Sequence, residues 1–357
     1  MHSRHPPAPS NGRTVSAAPP YTIREYRPGD EVEILKTFNR VFGGVDPNFV
    51  PRTMEEWEWA YKHNPSGWRI YLAVHDDGRV LSQYAGIPER ARIDGEPTFF
   101  TQAVDSMTDP SFRAGLKRPG LFVLTSRPYS DAYGGPPPDK DAVVWGYPIP
   151  PAWRIGKRYM QSEVVRTQLK LVCEPDQLQL PPGGRLTVEE LTRFPEDTSE
   201  LFEAQAARSG AIAVRDKAHL DWRYVDKPGA DYAKVAVRRD GRLVGLAVAR
   251  PGVFSHDAGY LLADWLVGAP GRAGEPFDLE AAAELLAWWR DRAVAANAGP
   301  LTCVFPDTSA EWLALQEVGF RARDTVYFLT ARNFVKQYDM RWLRRHWYYT
   351  LGNSDLV

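Results

Sequence analysis

Apolar side chains near the start of the ordered pattern recur every three to four residues, at Val32, Leu35, Phe38 and Phe42. That spacing predicts an amphipathic helix. A short strand from Tyr21 and a Pro28-Gly29 turn precede it, and Gly43-Gly44 closes it. Thr53, with Glu56 three residues on, has the form of a capping box opening a second helix that carries Trp57, Trp59 and Tyr61. The run 69–88 reads as two strands joined at Asp77-Gly78, a strong hairpin signal. Residues 96–108 form another strand, and 110–120 a turn rich in Gly, Pro and basic side chains. A short helix is expected from Leu121, a loop over 133–140 and a buried strand over 141–148.

The polar, Pro-Pro-Gly-Gly-containing stretch 174–187 is the best domain boundary. Beyond it the pattern starts again with a strand, a helix and further strands. Asp278 opens a long helix closed by Gly299, followed by strand, helix and strand up to Arg332. The two halves also match residue by residue. Segment 58–81 aligns without a gap on 221–244: Trp59 with Trp222, Tyr61 with Tyr224, Pro65 with Pro228, Gly78 with Gly241, Arg79 with Arg242. The chain therefore reads as two copies of one α+β unit built on a mixed sheet. The expected divisions are a Pro-rich leader over 1–20, domains over 21–173 and 188–332 with linker 174–187 between them, and a tail over 333–357.

Length agrees, since 357 residues suit two domains at roughly 100–200 residues each. Net charge is -1, which excludes the basic face of a dedicated DNA binder. No run approaches the ~18 apolar residues of a membrane span. The leader has no apolar core of a secretory signal, so the expected location is cytoplasmic. Cys173 and Cys303 lie far apart in apolar runs and read as buried thiols, not as a disulfide or metal motif. The histidines show no shared ligand spacing, and no metal is expected.

The element order resembles the GCN5-related N-acetyltransferase (GNAT) fold, twice over. In the first copy the likeness rests on Asp77-Gly78-Arg79-Val80, on 104–113, on Gly120-Leu121-Phe122 and on Trp145-Gly146-Tyr147-Pro148; in the second, on 240–245, 262–267, 305–320 and 325–329. It covers 21–332. The resemblance implies two tandem acyl-CoA N-acyltransferase domains, with acetyl-CoA or another acyl-CoA as cosubstrate and a small-molecule amine or amino sugar as acceptor. It places the donor against Ser106, Met107 and Thr108 and the loop Arg113, Gly115, Lys117, Arg118, Gly120 and Leu121. A pyrophosphate suits backbone N–H groups at a helix start, glycines that let the backbone approach closely and nearby cations. The matching stretch of the second copy has Gly271 and Gly274 but brings Glu275 and Asp278. Like charge opposes phosphate, so the donor is expected in the first copy.

Amine acylation needs a proton acceptor. Asp105 on the fourth strand is the candidate, with Asp264 its counterpart. The family's acid tyrosine precedes a Gly-Phe by four residues. That position is Leu315 in the second copy and falls near Gly156 in the first, leaving Tyr147, with Tyr133 and Tyr159 nearby, as the substitute. A thiol pKa near ~8.5 makes the thiolate a fair leaving group unaided. The repeated aromatics read as core, because a fold requirement repeats while a substrate contact need not. The tail is expected to pack on the body through Trp342, Trp347 and Tyr348; its arginines would otherwise suit a membrane surface or partner. Two other readings are an aminoacyl-tRNA-dependent transferase and a non-catalytic acyl-CoA-binding or regulatory protein.

Overall fold

In the computed structural model, which describes residues 19–45, 49–113, 118–183 and 186–357, the chain follows the repeated order. The first half runs β1 (Tyr21–Glu25), α1 (Glu31–Gly43), α2 (Met54–Tyr61), β2 (Arg69–His75), β3 (Val80–Ile93), β4 (Glu96–Thr108), α3 (Leu121–Tyr133), β5 (Asp141–Gly146), α4 (Pro150–Tyr159) and β6 (Glu163–Cys173). The second runs β7 (Thr187–Glu190), α5 (Thr198–Ala206), β8 (Ala211–Ala213), α6 (Lys217–Tyr224), β9 (Ala233–Arg239), β10 (Arg242–Phe254), β11 (Asp257–Val267), α7 (Leu279–Ala296), β12 (Leu301–Cys303), α8 (Ala310–Glu317) and β13 (Arg321–Asn333). The tail adds α9 (Met340–His346) and β14 (Trp347–Tyr348). Most of the expected leader, residues 1–18, lies outside the described residues.

Local rules account for most boundaries. The Thr53 hydroxyl accepts from Glu56 N while the Glu56 carboxylate accepts from Thr53 N, completing the capping box of α2. Asp278 caps α7 by accepting from Ala281 N. That helix ends at Asn297, in the left-handed conformation (φ 46), two residues before the expected glycine. On α1 the stripe facing the sheet is Ile34, Phe38 and Val41, and Val32 is 46% exposed. Two interleaved apolar stripes satisfied the spacing there, and only contact with Ile70, Leu72 and Ala85 selects one.

The strands form one sheet in the order β1-β2-β3-β4-β5-β13-β6-β12-β11-β10-β9-β7. The last strand of each half crosses to the other. Strand β13 pairs antiparallel with β5 (Ala331 opposite Trp145), and β6 with β12 (Thr302 opposite Val172). Between them β13 and β6 pair with each other. Neither half completes its sheet from its own residues. Helices α2 and α6 meet on one face. The Trp59 and Trp222 rings stack there at 5.2 Å and 15°. Each indole N–H donates to the other residue's carbonyl, at 2.7 and 2.8 Å. The contact is two-fold symmetric, as the repeat requires.

The tail packs on the body. Strand β14 pairs with β8, which pairs with β3, and Trp347, Tyr348, Tyr349 and Leu351 are buried. The Trp347 ring meets Phe100 and Trp145 edge-on. Trp342 is only partly buried, against Tyr338 and His346.

Candidate active site

Strand β4 carries a β-bulge where Asp105 adopts a left-handed backbone (φ 52). Gln83 lies opposite Met107 but Ala85 lies opposite Val104, so β4 has an extra residue there. Non-glycine residues rarely hold this conformation without support. Here the Gln83 side-chain amide donates to the Asp105 carbonyl at 2.9 Å, the Tyr61 hydroxyl donates to its carboxylate at 2.7 Å, and Arg52 ion-pairs with the same oxygen. The second half repeats the arrangement. Asp264 accepts from Arg215 Nε at 2.8 Å, from the Tyr224 hydroxyl at 3.0 Å and from Thr350 at 3.0 Å, next to a bulge in β11. Arg52 and Arg215 stand 163 residues apart, like the tyrosines. The Arg–Tyr–Asp cluster therefore belongs to the repeat.

The two copies differ in what lies beside the cluster. In each half the fourth and fifth strands run parallel and then part, after Gln102 and Trp145 in the first and after Leu261 and Thr302 in the second. In the second half the tail covers this opening: Tyr348 meets Phe305, and Thr350 reaches Asp264. Gly352 passes so close that an added Cβ would lie 1.8 Å from the Tyr224 hydroxyl oxygen. Asp264 is sealed, with 2% exposed.

In the first half Asp105 faces a cavity of about 150 Å³ between α2, α6, β3, β4 and residues 353–355. Both members of the tryptophan pair line it. So do Glu89, Asp105, Asp355, Arg223 and Lys227. Burial pushes the Glu89 carboxyl up to about 7, although Arg215 and an Asn353 side-chain N–H at 3.1 Å favour its charged form. Asp355 is exposed at the edge of the cavity, and its carboxylate accepts from Gln102 at 2.6 Å. Burial and the neighbouring Arg223 bring Lys227 down to about 8. Lys227 donates to the Val357 carbonyl at 2.8 Å, and Arg223 to the same oxygen at 2.9 Å.

The donor-side residues are placed as follows. Gly120 is the N-cap of α3 and supplies no side-chain cap, and Leu121 starts the helix with its side chain buried against Ala73 and Leu81. Arg113 donates to the Thr108 carbonyl at 3.1 Å, and Arg118 is exposed. Met107 packs in the core under α1 and α2, the Thr108 hydroxyl bonds to Ser82 at 2.9 Å, and the Ser106 hydroxyl donates to the Val104 carbonyl at 3.4 Å. Gly115 and Lys117 lie outside the described residues. The structure does not bring Tyr147 to the cavity. Its hydroxyl donates to Gln168 at 3.1 Å, and its ring packs on Trp145 and Tyr327.

Glu89, Asp355 and Lys227 went unread in the sequence. For Lys227 a signal existed, since the ungapped repeat aligns it with Asn64, a change of chemistry at a matched position. Among the described residues no group of three or more His, Cys, Asp or Glu side chains is arranged to hold a metal ion.

The fold is that of the GCN5-related N-acetyltransferases, present twice in one chain. No family model and no curated protein matches the sequence. Among solved structures, a protein of unknown function from Enterococcus faecalis, described as a probable N-acyltransferase, superposes with TM-score 0.64 at 13% identity, over 91% of this chain and 74% of that one. A GCN5-related N-acetyltransferase from Anabaena variabilis gives 0.61 at 12%, over 88% and 73%. The Saccharomyces cerevisiae N-myristoyltransferase with bound myristoyl-CoA gives 0.54 at 12%, over 92% and 87%.

Proposed function

We propose that this chain is an acyl-CoA-dependent N-acyltransferase. Its first half binds the donor, acetyl-CoA or another acyl-CoA, and the acyl group passes to the amine of a small molecule such as an amino sugar. The observation that carries the reading is the cavity lined by Glu89, Asp105 and Asp355 at the β4 bulge, beside the point where β4 leaves β5.

The start of α3 suits a pyrophosphate. Its first amides have no side-chain cap, and Arg113 and Arg118 stand by, with Gly115 and Lys117 between them in sequence. In the second half Asp278 already caps α7 and pairs with Arg239, so a carboxylate occupies the corresponding place. Ser106, Met107 and Thr108 offer the donor backbone rather than side chains.

An amine arrives as an ammonium and must lose a proton before it attacks. Asp105 and Asp355, both in the cavity lining, receive that proton as a pair. Arg52 and Tyr61 anchor Asp105. Glu89, titrating near neutrality, passes the proton on. The neutral nitrogen then attacks the thioester carbon and gives its second proton to the carboxylate freed when Glu89 has passed on the first; as the tetrahedral intermediate collapses the C–S bond breaks, and the thiolate departs without a dedicated acid. Tyr147 takes no part, because its hydroxyl is committed to Gln168. A cavity of about 150 Å³ has room for a molecule of roughly benzene size, so this one admits the amine-bearing end of an acceptor. Two buried free thiols fit a reducing cytoplasm.

The test is turnover of acetyl-CoA across a panel of small amines. Asp105→Asn and Asp355→Asn should each lower kcat about a hundredfold, with acetyl-CoA affinity retained. Wild-type turnover in both variants would remove the carboxylate pair from the chemistry.

A further inference from the structure

Helix α4 carries Arg154, Lys157 and Arg158 and no acidic residue. Its only fully buried residue is Gly156. Among the described residues none of the three cations has a carboxylate partner, whereas the arginines around the cavity are fully engaged. Lys157 and Arg158 complement the last turn of α4 and lie over aromatic rings, whereas among the described residues Arg154 has neither role.

Position shows what they face. On one flank Lys157 lies over Trp153, which meets Phe328 of β13, away from β4. On the other, the Arg158 guanidinium lies over the Tyr159 ring at 5.4 Å. Tyr159 and Ile155 share a cluster with Phe122, the second residue of α3, and with Ala103, the first residue of β4 beyond its last pair with β5. Arg154 precedes Arg158 by one helical turn, so the two stand together. Through Tyr159 and Ile155 this end of α4 packs against Phe122, in the first turn of α3, whose start has no side-chain cap.

We propose that Arg158, with Arg154, is a second phosphate site, taking the 3′-phosphate of the coenzyme's ribose while the α3 side takes the pyrophosphate. This rests on the donor reading given above. A phosphate monoester carries close to two charges near neutral pH, and paired guanidinium groups bind it bidentately. The pyrophosphate is served by Arg113, Arg118 and the α3 amides, which leaves the monoester as the remaining anion of the donor. A basic helix with Ile149 exposed at its start is also what an anionic membrane would take, and the test separates the two.

Calorimetric affinities for acetyl-CoA and 3′-dephospho-acetyl-CoA are compared on wild type and on Arg154→Gln/Arg158→Gln, both positions being exposed. Wild type should prefer acetyl-CoA by about tenfold or more. The variant should lose about tenfold on acetyl-CoA and nothing on the dephospho form. Undiminished acetyl-CoA binding in the variant would overturn the site. Equal wild-type affinity for both ligands would overturn it too, while leaving the donor reading in place. Wild type binding neither ligand would remove the donor reading itself. Sedimentation with phosphatidylserine vesicles, lost in the variant while its acetyl-CoA affinity is unchanged, would assign the face to a membrane instead.

Discussion

Replacing Glu89 with Gln is expected to stabilise the protein at alkaline pH while impairing turnover. The folded state holds the Glu89 carboxyl up to about 7, against an ordinary value of 4.5. Between those two values the unfolded chain releases the proton and the folded chain keeps it. Stability then falls as pH rises, because the unfolded state binds fewer protons. Two and a half pH units at ~1.4 kcal/mol each give a cost of about 3 kcal/mol, complete above pH 7 and absent below pH 4.5. His219 runs the other way. Burial lowers its imidazole to about 4, so its burial costs stability below pH 6.5 and that cost fades as pH rises. The wild-type pH profile alone mixes the two, and His219 Nε2 lies 3.6 Å from the Glu89 carboxylate, so the comparison is made in a His219→Gln background, where the change made by Glu89→Gln isolates Glu89. Urea unfolding at pH 4, 6 and 8 reads that change. Glu89→Gln should approach its His219→Gln parent at pH 4 and gain with each step, reaching up to about 3 kcal/mol at pH 8, less whatever the Asn353 bond supplies. A stability difference that does not change with pH would refute the reasoning.

Two further predictions concern the scaffold. Gly352→Ala must push Tyr224 off Asp264, at about 2–5 kcal/mol for overpacking plus a lost charged hydrogen bond; a thermal midpoint equal to wild type would show that the tail is not seated there. A fragment ending at Cys173 lacks β13, the partner of both β5 and β6, and should give no cooperative unfolding transition, whereas a sharp two-state melt of that fragment would contradict the strand exchange.

Much of the fold could be read from the chain because its signals are local. The capping box at Thr53, the Asp-Gly turns and the ungapped match of 58–81 to 221–244 each depend on neighbours in sequence. The crossing of β6 and β13 left no such trace, since an apolar period of two marks a strand without naming its partner. The site divides the same way. Asp105 was visible as an acid on the fourth strand, yet its anchors Arg52 and Tyr61 appear only once α2 lies across β4. Arg52 sits just upstream of the aligned segment and repeats at Arg215, so a longer alignment would have exposed the cluster. Glu89 and Asp355 had no local mark, because residues far along the chain bring them to one cavity, with Asn353 264 positions from Glu89. Tyr147 looked available as an acid until its partner on β6, Gln168, was in place.

The central claim is that the first half binds an acyl-CoA, and calorimetric titration of acetyl-CoA tests it most directly. It should be run on wild type and on Lys117→Ala/Arg118→Ala. Micromolar binding that weakens at least tenfold in the variant, with the thermal midpoint unchanged, is the predicted result. No measurable binding to wild type, or the same affinity in both proteins, would contradict it.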